Sequence, residues 1–244
     1  MEQGILEVEL KDLTPIMDVL GVTDRQTRSQ LRHRAEEARK RGLWSAVSTQ
    51  GFSDFLWGED KATEIDGYHI SNFPGPLQAP ELAEVLIRHG ERGSSEADIE
   101  NYIEIRLARS DILVKPNAPT ARFLLYEGIL RQRLRIVTRD IYAAQFRYLR
   151  EVAEYANVEI RYLPINTDCP TVTEVTAGFT VMKLPAGWPT LVHVETPIGP
   201  VIGDSGGIDL RSALDAFDFL WDEGAQDAEQ TNRLLEELLR EVEQ

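Results

Sequence analysis

The stretch at residues 121–135, ARFLLYEGILRQRLR, decides the fold. Its segment from Arg122 to Tyr126 is an apolar and aromatic run long enough for one buried strand, and Glu127 stands at the end, where Gly128 lets the backbone turn. Past the turn the pattern becomes helical, with Ile129 and Leu130 on one side and Arg131, Arg133 and Arg135 on the other. A carboxylate at the end of a buried strand is a frequent ligand position, which makes Glu127 with Arg131 a candidate binding pair. The plainer reading is that the same pair secures a strand-helix corner.

The neighbouring segments set the fold class. Downstream, residues 140–156 form an amphipathic helix with Ile141, Phe146, Leu149 and Val152 inward, leading into an alternating strand at 158–164, VEIRYLP. A helix joining two strands implies that they pair in parallel. Residues 178–184, GFTVMKL, and 190–196, TLVHVET, flank a short Pro-Ala-Gly-Trp-Pro turn and read as an antiparallel hairpin, with a further edge strand at 198–202. Upstream, Ser94 or Ser95 opens a helix running to about residue 113. The expected class is α+β: a mixed, mostly antiparallel sheet of about four to five strands with helices packed on it, behind a helical N-terminal extension.

Three regions follow: the extension at 1–67, an effector or interaction core at 68–224, and an acidic C-terminal helix at 225–244. In the first, 10–20 reads as a short helix closed by Gly21, and Thr23 or Asp24 caps a basic helix at 25–42 rich in arginine. Phe52, Phe55, Leu56 and Trp57 open a helix whose period continues through Ala62 and Ile65 to Gly67. Residues 68–80 are apolar yet carry too much proline and glycine for helix or strand, so they must lie packed in a groove, with His69 a structural imidazole and Pro80 starting the next helix. The tail carries a stripe of Leu234, Leu235, Leu238, Leu239 and Val242, suited to closing a homodimer or to folding back on the basic helix.

Composition excludes several functions. A net charge of −15 and a pI near 4.7 oppose phosphate binding, so no nucleic acid is expected to bind this chain by itself. The single cysteine, Cys169, rules out an internal disulfide and fits a reducing cytoplasm. No membrane-spanning run and no clustered histidines or cysteines occur, so neither a metal nor a cofactor is expected. The segment 203–207, GDSGG, lacks the lysine of a phosphate loop and the frame of a nucleophile elbow.

His193 and Glu195 alternate on one strand and share a face, which with Glu127 makes them the candidates for acid-base chemistry; solvent-facing polar residues are the plainer reading. Trp57, Tyr126, Trp188 and Trp221 are candidate walls of an apolar ligand pocket around Glu127 and His193, with Arg131 a further candidate ligand contact, although core packing accounts for the same aromatics.

Several motifs occur in a familiar order: Glu59 on a helix, the linker Pro74-Gly75-Pro76-Leu77-Gln78-Ala79, the strand end Tyr126-Glu127-Gly128-Ile129-Leu130-Arg131, a helix from Arg139 to Leu149 with Gln145, the strand from Asn157 to Pro164, and the strand opening at Gly178. In this order they resemble the actinobacterial domain of unknown function that follows a Xre-type helix-turn-helix in WhiJ-like, antitoxin-like transcriptional regulators. Pro76 and Ala79 replace that family's usual leucine and threonine, and the chain opens at what reads as the helix after the DNA reader. The resemblance implies a ligand-sensing and protein-interaction domain that takes a small molecule or a small partner protein and works as a homodimer. The alternative expectation is a cofactor-free cyclase or isomerase acting on a hydrophobic metabolite in natural-product biosynthesis.

Overall fold

A computed structural model describes residues 10–25, 27–29, 31–32, 50–194, 201–203 and 210–244. The chain divides into two compact units, Met1–Ala46 with Ala186–Trp188, and Val47–Pro185 with Pro189–Gln244. In the smaller unit helix α1, Leu10–Val19, closes as expected at Gly21, whose φ of 68° suits glycine, and Val22 N–H reaches back to the Met17 carbonyl at 2.9 Å. Asp24 caps the turn that follows by accepting from Thr27 N–H at 2.6 Å. Most of the basic helix expected at 25–42 lies outside the described residues.

The larger unit is built on a six-stranded mixed sheet in the order β3-β2-β1-β4-β5-β6. Its strands are β1 (Glu64–His69), β2 (Thr120–Tyr126), β3 (Val158–Leu163), β4 (Phe179–Lys183), β5 (Leu191–Val194) and β6 (Val201–Gly203). Strands β1, β2 and β3 run parallel, and β4, β5 and β6 add antiparallel neighbours. The α+β class, the β2–β3 parallel pair and the β4–β5 hairpin follow the sequence reading. The principal difference is β1, which takes up Ile65 and Gly67, where helical periodicity was expected to continue, and His69, expected in the irregular linker. Burial along it does not alternate: every residue from Ile65 to His69 is buried, including Asp66, which Arg122 Nε of the next strand holds at 2.7 Å. Arg122, read as part of an apolar run, therefore serves as the counter-ion of a central strand.

Helices cover both faces. On one, α7 (Leu210–Phe219) and the π-helical turn Leu220–Gly224 bury Phe217, Leu220 and Trp221 against Tyr68, Leu124, Leu163, Phe179, Val181 and Val192. On the other lie α2 (Gln50–Lys61), α3 (Pro80–Gly90), α4 (Glu96–Ala108), the single turn α5 (Glu127–Arg131), α6 (Arg139–Val152) and α8 (Ala228–Glu243). Helix α2 approaches β4 and β5 closely because Gly58 presents no side chain: a Cβ there would stand 2.9 Å from Leu191 Cδ1. Leu234, Leu235, Leu238 and Val242 of α8 are buried, and α8 packs on α6 and β3. Its acidic residues meet Arg131, Arg133, Arg147 and Arg150. The tail's leucine stripe is thus taken up within the chain, against α6.

Residues 73–79, read as packed in a groove, are all buried, with one 3-10 turn at Gly75–Leu77. Gln145 of α6 clamps this linker as a second strand would: its Nε2 donates to the Leu77 carbonyl at 2.7 Å and its Oε1 accepts from Ala79 N–H at 2.8 Å. Tyr148 adds a hydroxyl bond to the Pro76 carbonyl at 3.1 Å. Replacing Gln145 by leucine keeps the volume and orphans both backbone groups, at a cost of about 1 to 3 kcal/mol each. Urea denaturation of Gln145→Leu is expected to show a lower midpoint at unchanged slope; a midpoint equal to that of the parent chain contradicts the clamp.

Candidate functional site

The helix-rich face of the sheet holds a cleft of about 250 Å³. One wall is α2, where Phe52, Phe55 and Glu59, spaced three and four apart, form a single stripe. The opposite side comes from the linker, with Asn72, Phe73, Pro74, Gly75 and Gln78, and from Arg106 and Arg109 at the end of α4. The floor is sheet: Ile65 and His69 of β1, Phe123 of β2, Thr180 of β4 and His193 of β5.

Register places the floor residues. Gly67 pairs with Thr180, and Thr180 pairs with His193, so the three positions form one row on one face. The His69 imidazole folds back over Gly67, its Nε2 only 2.5 Å from where a Cβ on that glycine would stand. Two imidazoles therefore flank Thr180 across the floor. His193 stacks on Phe55, ring centroids 4.0 Å apart at 26°, and is buried, which replaces the solvent-facing reading of this residue.

The walls are locked by a buried ion pair. Arg109 Nε and Nη2 donate to Glu59 Oε2 and Oε1 at 2.8 and 2.9 Å, with the two side chains only 7% and 5% exposed. The Phe55 ring lies 5.1 Å from the guanidinium carbon. A Cβ on Gly75 would fall 2.3 Å from that same carbon, so the linker passes directly over the arginine and a side chain here would have to displace the paired guanidinium. Arg106 Nη1 donates to Gln78 Oε1 at 2.8 Å, and Gln78 Nε2 donates to the Phe73 carbonyl at 2.6 Å. The linker is thereby fastened from α4 as well as from α6.

Among the described candidate residues read from sequence, only His193 lines this cleft. Glu127, first residue of α5, accepts from Arg131 Nε at 2.5 Å and from Ile165 N–H at 2.9 Å. Two strands, β1 and β4, separate its strand from that of His193, a step of about 14 Å across the sheet. Tyr126 and Trp221 pack in the core on the α7 side. Trp221 lies between two guanidinium groups there, 5.4 Å from Arg122 and 4.3 Å from Arg161. Tyr68 of that core is fully buried; burial, then Tyr126 and Cys169 beside it, pushes its phenol up to about 12. Trp57 is half-buried on α2, Trp188 belongs to the smaller unit, and Glu195 lies outside the described residues.

The sequence reading missed Phe52, Phe55, Arg106, Arg109, Thr180 and Phe123 as cleft residues. A signal for the helix wall existed in the spacing of Phe52, Phe55 and Glu59. Arg109 carries none, since an arginine near the end of a helix reads as a surface residue, and it is buried only because Glu59 meets it from another helix. Among the described residues no group of three or more His, Cys, Asp or Glu is arranged to hold a metal ion, and no described helix is long and apolar enough to cross a membrane.

These features define an α+β domain with an aromatic-walled cleft on one face of a mixed sheet. A family model described as a domain of unknown function, DUF5753, matches residues 52–237, most of the chain, and the chain belongs to that family. No curated protein and no solved structure matches it. The matched span contains every residue that lines the cleft.

The Glu127 corner gives a pH-dependent prediction. Burial disfavours its charge, but the Arg131 hydrogen bond and the Ile165 N–H outweigh that and hold the carboxyl below the usual glutamate value of 4.5. A depressed carboxyl stabilises the fold above 4.5, and that contribution is lost as pH falls through the lower folded value. Unfolding free energy measured from pH 6 to pH 3 is expected to fall more steeply for the parent chain than for Glu127→Gln; parallel curves contradict the assignment.

Proposed function

We propose that this chain is a ligand-sensing and protein-interaction domain of a Xre-family, antitoxin-like transcriptional regulator, with the α2–linker cleft as the ligand site. The observation that carries the reading is the cleft itself: four phenyl rings, from Phe52, Phe55, Phe73 and Phe123, converge with a few fixed polar groups around about 250 Å³. That composition is the usual one for a small-molecule site. The cleft is also connected to the rest of the molecule. Its linker wall is clamped by Gln145 of α6, and α6 carries α8, so occupancy bears on a helix whose outer side is exposed.

The motif order that resembles the WhiJ-like regulators supports the regulatory setting. A homodimer, as paired half-sites ask of such regulators, has to use a surface other than the leucine stripe of α8, which is buried within the chain. The alternative, a cofactor-free cyclase or isomerase, drew on Glu127 and His193 acting together. Their separation across the sheet and the ion pair at Glu127 remove the geometric support for that pairing.

Thermal denaturation with a panel of small planar aromatic metabolites tests the reading against an occluded variant. Asn72 lines the cleft and is exposed, so Asn72→Trp blocks the mouth without touching the core. A ligand at one hundred times its Kd stabilises by about 2.7 kcal/mol. For a chain of this size that corresponds to a rise of roughly 5 to 10 °C. At least one compound is expected to give such a rise with the parent chain and little with Asn72→Trp. Equal shifts for both proteins, or none from the whole panel, contradict the cleft as the ligand site.

A further inference from the structure

The cleft floor is organised by one row of paired residues. Phe123 of β2 pairs with Gly67 of β1, Gly67 with Thr180 of β4, and Thr180 with His193 of β5. At about 4.8 Å per strand the row spans roughly 14 Å. Gly67 adds no side chain, and the His69 imidazole lies over it. Rings therefore stand on both sides of Thr180. On one side is His69, its ring centroid 6.3 Å from that of Phe123; on the other is His193, stacked on Phe55 at 4.0 Å.

Thr180 is buried and lines the cleft, and its Oγ1 meets no hydrogen-bond partner among the described residues. Buried hydroxyls are nearly always bonded, because one that leaves water without a partner costs free energy. The charges of the lining serve the walls: Arg109 engages both oxygens of Glu59, and Arg106 donates to Gln78. Glu59 is neutralised there, and a chain of charge −15 repels anions at long range. An uncharged ligand suits such a lining. A hydroxyl both donates and accepts, so the group that complements Thr180 in either direction is another hydroxyl. The cavity, at about 250 Å³, falls just below the roughly 300–1,000 Å³ of drug-sized sites, which limits the occupant to one or two rings.

From this geometry we infer that the cleft takes a small neutral aromatic alcohol of the phenol class, with its rings against the aromatic lining and its hydroxyl on Thr180 Oγ1. The inference rests on the ligand-site reading above and adds the chemical class of the ligand. Thr180 is the specificity-determining residue: it selects the hydroxylated ring over a hydrocarbon of the same shape.

Equilibrium dialysis of the full chain at neutral pH compares 2-naphthol with 2-methylnaphthalene, in the parent and in Thr180→Val. Valine keeps the branched shape that a strand favours and removes the hydroxyl. The readout is the ratio of the two dissociation constants, in which the greater apolar transfer of the hydrocarbon cancels between the two proteins. Thr180→Val is expected to weaken naphthol by at least about tenfold relative to methylnaphthalene, because the ligand hydroxyl is left buried and unpaired. An unchanged ratio, or a parent chain that binds only the hydrocarbon, overturns hydroxyl recognition and leaves the ligand site standing. If Thr180→Val binds neither probe, Thr180→Ser, which keeps the hydroxyl, decides the matter. A ratio within about threefold of the parent value then supports the inference, and a larger shift toward the hydrocarbon overturns it. Binding of neither probe by the parent chain overturns both the inference and the ligand site.

Discussion

The buried ion pair between Glu59 and Arg109 is the constraint on which the cleft depends. Two charges less than a tenth exposed carry a desolvation penalty that only near-ideal geometry offsets, and the two parallel hydrogen bonds at 2.8 and 2.9 Å supply that geometry. Its consequences extend outward in sequence. Helix α2 is pinned to the end of α4, Phe55 is set over the guanidinium and against His193, and the linker must present Gly75 where it crosses the arginine. An apolar pair of the same volume would fill the space without directing the linker, since packing alone lacks the directionality of paired donors and acceptors. Specificity of path, more than gross stability, is what this pair contributes.

The two faces of the sheet use arginine differently. On the α7 side Arg122 joins β1 to α7 by bonding Asp66 at 2.7 Å and Asp218 at 3.0 Å, and its guanidinium covers the Phe217 ring at 4.8 Å. That core is closed by aromatic and cationic stacking around Trp221. On the cleft side Arg109 closes one wall by its ion pair with Glu59, and Arg106 fastens the linker by donating to Gln78. The acidic α8 completes the arrangement by meeting Arg131, Arg133, Arg147 and Arg150, charges that the sequence places close together and the fold distributes along one helix.

Strands whose burial shows as apolar runs were legible in the sequence. β2, β3 and the β4–β5 hairpin announce themselves through Phe123, Leu124, Leu125, Ile160, Val181 and Val192, and the helix between β2 and β3 fixes their parallel sense. Strand β1 was not legible, because a buried Asp66 and a Gly67 beneath His69 of the same strand depart from the pattern that marks a strand, and the burial of Asp66 makes sense only with Arg122 of β2 present. The candidate site shows the same division. Glu127 drew attention by its position at a strand end and proved to be a secured corner, while His193 was visible as half of a His-x-Glu pattern. Arg109 reads as a surface residue until Glu59, fifty positions earlier in sequence, is brought beside it. Motif order did carry information: Glu59, the Pro74–Ala79 linker and Gln145 stood out as motif residues before any contact between them was visible, and they form one connected unit.

Amide hydrogen exchange tests the central claim, that Glu59 and Arg109 hold the linker and with it the cleft. In the parent chain Leu77 N–H donates to the Pro74 carbonyl, Gln78 N–H to the Gly75 carbonyl and Ala79 N–H to Gln145. In Glu59→Gln the protection of these three amides is expected to fall at least about tenfold further than that of the β2 amides at Phe123 and Leu124, because the guanidinium on which the linker packs at Gly75 is no longer fixed by a carboxylate. A decline no greater at 77–79 than in β2 would contradict the account.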